Sequence, residues 1–113
     1  MYNRTIKDLI RDGERTYVYL SDDETGKRFL QNAEKEGFTF GDGVKPTERE
    51  YATVMAIGAD GTIGYVGAIG FTAFASGAAK IGKDFLVRID YRKYICGEEG
   101  YSIKDARSAL HAD

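Results

Sequence analysis

The stretch from Tyr17 to Phe40 constrains the fold most, because local propensity, capping and periodicity all agree on a strand, a helix and a second short strand. Tyr17, Val18, Tyr19 and Leu20 are β-formers in an unbroken apolar run. Such a run predicts an inner strand covered on both faces. Ser21 and Glu24 have capping-box spacing, in which each side chain takes up an orphan backbone N–H. Asp22, Asp23 and Glu24 fill the first helical turn, where negative charge suits the helix dipole. Phe29, Leu30 and Ala33 form the apolar stripe. Gly37 is placed to end the helix in the left-handed conformation, with Phe38 folding back on Ala33. Phe38, Thr39 and Phe40 then continue as a strand.

Around this unit the chain punctuates itself with glycine. Thr5 caps a helix expected over about 5–12, with Ile6, Leu9 and Ile10 on its apolar face and Gly13 as its stop. Gly41-Asp42-Gly43 breaks the second strand, and a loop with Lys45, Pro46, Thr47, Glu48 and Arg49 follows. Tyr51 to Gly67 reads as a β-hairpin turning at Asp60-Gly61. Residues 68–79 stay open between helix and strand, since Ile69, Phe71 and Phe74 settle on neither period. Phe85 to Tyr91 is a strand with Phe85, Val87, Ile89 and Tyr91 on one face and Leu86, Arg88 and Asp90 on the other, with strand character running on to Tyr94 or Ile95. Ser102 and Asp105 open a last helix over about 102–110, with Ile103, Ala106 and Leu110 as a thin apolar face. The predicted class is α+β: a mostly antiparallel sheet of about five strands with helices packed on one face, around a β-α-β-β-β core. The first two strands add one parallel pair if they share the sheet.

At 113 residues the chain fits a single domain, 1–113, with its core over about 15–97. With 42% apolar and 30% charged residues it needs neither metal nor disulfide to fold. The formal net charge of −2 is too balanced to point by itself to nucleic acid. A lone cysteine and the lack of a signal peptide predict a reducing cytosol. No apolar run reaches the roughly 20 residues of a membrane span.

The inventory of reactive side chains is thin. One histidine, His111, and one cysteine, Cys96, cannot make a structural zinc site within one chain, and neither metal nor cofactor is expected. Cys96 has no base at hand to make its thiolate, so no catalytic residue is assigned and the chain reads as a non-enzyme. Gly41, Gly43, Lys45, Thr47 and Arg49 combine flexible N–H groups, cations and a hydroxyl, which is the chemistry of an anion cradle, although the ending of a P-loop is missing. Arg88, Arg92 and Lys93 alternate with Tyr91 and Tyr94, a pattern that holds nucleotides or nucleic acid by charge and stacking. Eight tyrosines and no tryptophan point instead to protein contact, with Tyr51, Arg88, Arg92 and Tyr94 as the candidate binding residues. The run Gly64 to Ala79 reads as core or as a dimer interface, leaving monomer and homodimer both open.

The run YVYLSDDETGKRFLQNAEKEGFTFGDGVKPT, from Tyr17 to Thr47, resembles a recurring small phage and mobile-element protein of Firmicutes. Gly61 to Gly67 and VRIDYRKYIC, from Val87 to Cys96, resemble it too, so the likeness covers most of 15–97. That family carries no agreed activity. The resemblance implies an accessory protein that binds a host defence protein, most concretely an anti-CRISPR inhibitor of a Cas nuclease. The alternative is a nucleotide or nucleic-acid binding module using the 41–49 loop and the 88–94 strand.

Overall fold

A strand that is apolar on both faces needs cover on both, and the chain supplies it. The computed structural model describes residues 4–103. Strand β1, Glu14–Tyr19, leads to helix α1, Asp23–Lys35, and then to β2, Thr39–Phe40. Next come β3, Val54–Ile57, β4, Thr62–Tyr65, and helix α2, Gly67–Ser76. The chain continues with β5, Lys80–Ile81, β6, Asp84–Asp90, and the short helix α3, Tyr91–Ile95. The six strands form one sheet in the order β2-β4-β3-β1-β6-β5.

The class is α+β, but the sheet is mixed. Three pairings are antiparallel and two, β1 with β6 and β2 with β4, are parallel. β1 and β2 do share the sheet, but β3 and β4 lie between them, so the expected parallel pair does not form. The sixth strand is β5, a two-residue edge strand hidden from sequence by its length.

Helices lie on both faces, which corrects the one-sided packing. α1 contributes Phe29, Leu30 and Ala33 to a core with Val18, Met55, Ile57, Ile63 and Ile89. α2 contributes Phe74 to a separate core with Tyr17, Val54 and Leu86. Because strand residues alternate, Val18 enters the first core while Tyr17 and Tyr19 enter the second.

The caps explain why α1 stands where it does. Its N-cap is Asp22, one residue later than the capping box implies, and its carboxylate accepts from the Thr25 N–H at 2.8 Å. Glu24 points along the helix to Arg28 instead, at 3.6 Å. The other end follows the sequence reading. Gly37 takes φ +88°, the Phe38 N–H reaches the Ala33 carbonyl at 2.9 Å, and the Gly37 N–H reaches Glu34 at 3.1 Å.

Elsewhere the structure departs from expectation. The helix expected over 5–12 is only a 3-10 turn, Lys7–Leu9, since Ile10 is already extended and Gly13, at φ +76°, turns the chain into β1. The hairpin turn holds Ala59, Asp60 and Gly61, with the Gly58 N–H bonded to the Thr62 carbonyl and Gly61 at φ +84°. Residues 67–76 are helical, closed by Gly77 at φ +78°. Strand character stops at Asp90, whose carboxylate accepts from the Lys93 N–H and starts α3, so Tyr91, Tyr94 and Ile95 are helical. Most of the helix expected over 102–110 lies outside the described residues, and Ser102 itself pairs with Ile89 in an antiparallel bridge.

Arg88 ties the second core together. It is buried, and its guanidinium donates to the carbonyls of Phe74 at 2.9 Å, Ala73 at 3.0 Å and Ala78 at 2.8 Å. These carbonyls lie at and just past the end of α2, and that of Ala73 also accepts from the Gly77 and Ala78 N–H groups. Replacing Arg88 with Met removes three charge-assisted hydrogen bonds from a buried site together, so we expect a loss of about 3 kcal/mol in chemical denaturation. Arg92→Met, on an exposed turn of α3, leaves the midpoint unchanged. Equal midpoints for the two variants would remove the clamp from the account.

Candidate functional site

The sequence-level candidates separate once the chain is folded. Arg88 is spent on α2. Tyr94, expected at the surface, is buried at 3% exposure, and its hydroxyl donates to the Thr5 carbonyl at 2.7 Å. Arg4 lies over the rings of Tyr94 and Tyr101 at 5.4 and 5.0 Å, which closes that corner. With Arg88 buried and Tyr91 to Ile95 coiled into α3, the basic 88–94 strand does not exist as a surface. Tyr91 is buried as well, packed edge-on against Phe29 at 5.2 Å and accepting from Asn32 at 2.9 Å.

The 41–49 loop folds on its own carboxylates. Glu34 of α1 accepts from the Thr47 hydroxyl at 2.7 Å and from the Thr47 N–H at 3.2 Å. Those bonds hold the Glu34 carboxyl below its ordinary value, the hydroxyl contributing most. Asp42 takes the Arg49 guanidinium at 2.5 Å and the Val44 N–H at 3.3 Å, and Arg49 chiefly lowers its pKa. The Gly43 N–H bonds to the Phe40 carbonyl at 2.8 Å. Donors that would cradle an external anion therefore already hold internal ones. Lys45 is exposed beside this array, and Gly41 is exposed at its rim.

What the fold brings together is Tyr51, Arg49 and Thr47 with the first turns of α1. They line a groove of about 640 Å³ with Asp23, Lys27 and Gln31. The Tyr51 ring lies flat enough on α1 that a Cβ on Gly26 would sit 2.3 Å from it. Sequence reasoning missed Gly26, whose signal is a glycine inside an otherwise strong helix. Asp23 holds Lys27 at 3.0 Å, and the nearby Tyr51 phenol also helps to lower its pKa. Lys27 is the main cause of the low Asp23 pKa, while burial and then Asp23 raise that of Tyr51. The Arg92 charge is near enough to the same helix start to help lower Asp22 after the Thr25 bonds. Tyr51 and Arg92 thus both lie near one mixed-charge helix end, and the groove adds Arg49 and Thr47 to it.

This arrangement offers cations, carboxylates and an aromatic ring fixed by neighbours, which is the equipment of a contact surface. Cys96 is exposed at the end of α3. No three His, Cys, Asp or Glu side chains converge as metal ligands would among the described residues, and no described helix is long and apolar enough to cross a membrane. Comparison with family models, curated proteins and solved structures finds no significant match to this chain.

Two outcomes are expected. Gly26→Ala costs about 1–3 kcal/mol, because the new methyl drives the Tyr51 ring off the helix. In a Tyr51→Ala background the same change stabilises by up to about 1 kcal/mol through helix propensity alone. Denaturation of the four variants of the cycle reads this coupling, and simple additivity would refute it.

The second outcome concerns buried phenols. Burial raises both Tyr91 and Tyr94 to about 12. A phenol is neutral when protonated, so its raised folded pKa adds stability that is whole below the unfolded value near 10 and is lost as pH climbs toward 12. Ultraviolet titration is expected to show late-ionising tyrosines together with alkaline unfolding. Complete ionisation of all tyrosines near pH 10 in the folded protein would contradict the burial.

Proposed function

We propose that the protein is a non-enzymatic accessory protein of phage or mobile-element origin that acts by binding a host protein, most concretely as an anti-CRISPR inhibitor of a Cas nuclease. The observation that carries this reading is the pre-set surface at the start of α1. Tyr51 is packed on α1 at Gly26, Arg49 is held by Asp42, and Lys27 by Asp23. Side chains held in place lose little entropy on binding, and tyrosine and arginine are the residues that most often dominate protein interfaces. Asp22, Asp23 and Glu24 add a patch of acid beside them, suited to the basic channels of nucleases. The binding residues are Tyr51, Arg92 and Arg49, in place of the Tyr51, Arg88, Arg92 and Tyr94 set.

A nucleotide reading draws less support, because Glu34 and Asp42 occupy the donors that it requires.

The test is an equimolar pull-down against a panel of Cas nucleases with a cleavage assay beside it. We expect one complex and inhibited cleavage, with binding weakened about tenfold or more in Tyr51→Ala and Arg92→Glu. No complex and undiminished cleavage across the panel would end the anti-CRISPR version. A thermal shift of several degrees with a nucleotide, and none with a nuclease, would move the function to ligand binding.

A further inference from the structure

The stripe of α1 nearest the N-terminal turn carries Arg28, Gln31, Asn32 and Lys35. Their spacing along the chain puts them on one side of the helix. They line a groove of about 670 Å³, whose other wall includes Thr5 and Ile95. A volume of that size suits a small molecule.

All four side chains donate hydrogen bonds, and none is a carboxylate. Gln31 and Lys35 are exposed, and their side chains have no hydrogen bond or ion pair among the described residues. Arg28 meets Glu24 at 3.6 Å, but Glu24 is 85% exposed, and such a pair is weak and screened. Asn32 is fixed by its bond to the Tyr91 hydroxyl. Glu36 also lines the groove, but its two oxygens accept from the N–H groups of Ile6, at 2.8 Å, and Lys7, at 3.0 Å. Arg4 adds positive charge, offset by Glu99 at 3.6 Å. In the 41–49 loop carboxylates of the chain occupy the donors. In this groove the carboxylate is occupied and the donors are left over.

We propose that this groove binds a phosphate monoester of small-molecule size, with Arg28 and Lys35 on the phosphoryl oxygens and the Gln31 and Asn32 amides on the polar groups of the ester. A phosphate monoester carries about two negative charges at neutral pH, which the two cations match, whereas a single carboxylate matches one. The planar fork of arginine takes two phosphate oxygens at once, and lysine supplies a point charge. Along α1 the two residues stand about 10 Å apart, so both long side chains reach over Gln31 and Asn32. An apolar ligand gains little against so polar a lining. A long polyanion fits poorly as well. The formal net charge of the chain is −2, so only the local cations attract it, and in salt their field fades within about 10 Å.

Chemical-shift titration of the isotope-labelled full chain tests this, with glycerol phosphate, adenosine monophosphate, inorganic phosphate and citrate as probes. We expect saturable shifts over residues 28–36 and at Thr5 and Ile95, with a Kd of about 1 mM or below for at least one of the two esters. Arg28→Gln and Lys35→Gln should each weaken that binding about tenfold. Both side chains are exposed, so neither change should move the melting temperature. No saturable shift with any phosphate up to about 20 mM would overturn the inference. So would shifts that both substitutions leave intact, or citrate binding as tightly as the esters. Arg28 and Lys35 lie outside the Tyr51, Arg92 and Arg49 set, so nuclease binding by these variants reports on that surface separately, and the two readings fail independently.

Discussion

Everything in this molecule depends on β1 being buried on both faces. Val18 is fully enclosed under α1, while Tyr17 is enclosed on the α2 side. β3 and β6 bond its two edges. β3 and β6 also send side chains into both cores, and β1 sits between them at the centre. The fit is tight on the α2 side, where a Cβ on Gly70 would come within 3.0 Å of the Tyr17 hydroxyl oxygen. Only a helix with glycine at that turn lies so close to a tyrosine-bearing strand.

The two faces then diverge in chemistry. On the α1 side, exposed groups are paired off within the chain: Asp22 with a helix start, Glu34 with Thr47, Asp42 with Arg49, Glu36 with the N–H groups of Ile6 and Lys7. Such pairs on the surface add little stability each, but they fix side chains in position, which suits a recognition surface. On the α2 side the single charge in the core, Arg88, is consumed by backbone carbonyls. Burial lowers its pKa, and the carbonyls supply the hydrogen bonds that a buried guanidinium requires. Outside that core the same side of the sheet carries the exposed Arg15–Asp84 pair, at 3.3 Å.

The local rules were legible in the sequence wherever partners lie close in the chain. Gly37 and Phe38 closed α1 as their types demanded, and Asp60-Gly61 marked the hairpin. The N-cap slipped by one because Ser21, Asp22 and Asp23 are all capable caps, and only the path of β1 decides among them. Tyr91 to Ile95 read as strand by propensity, but the Asp90 cap and packing on Phe29 override that preference. Arg88 looked solvated because its acceptors lie 10 to 15 residues away, at the end of a helix that sequence could not identify. α2 itself showed no period because it is apolar inside and out. Helices on both faces were implied all along by the unbroken run Tyr17 to Leu20, which no one-sided packing could cover. The groove at α1 was half legible: Tyr51, Thr47 and Arg49 were singled out for different chemistries, and Gly26 was what joined them.

Residue-resolved hydrogen exchange of the full chain tests the central place of β1 most directly. The amides of Tyr17, Val18 and Tyr19 are expected to be the slowest in the molecule, slower than those of α1 and α2. Exchange in β1 faster than in either helix would contradict the account.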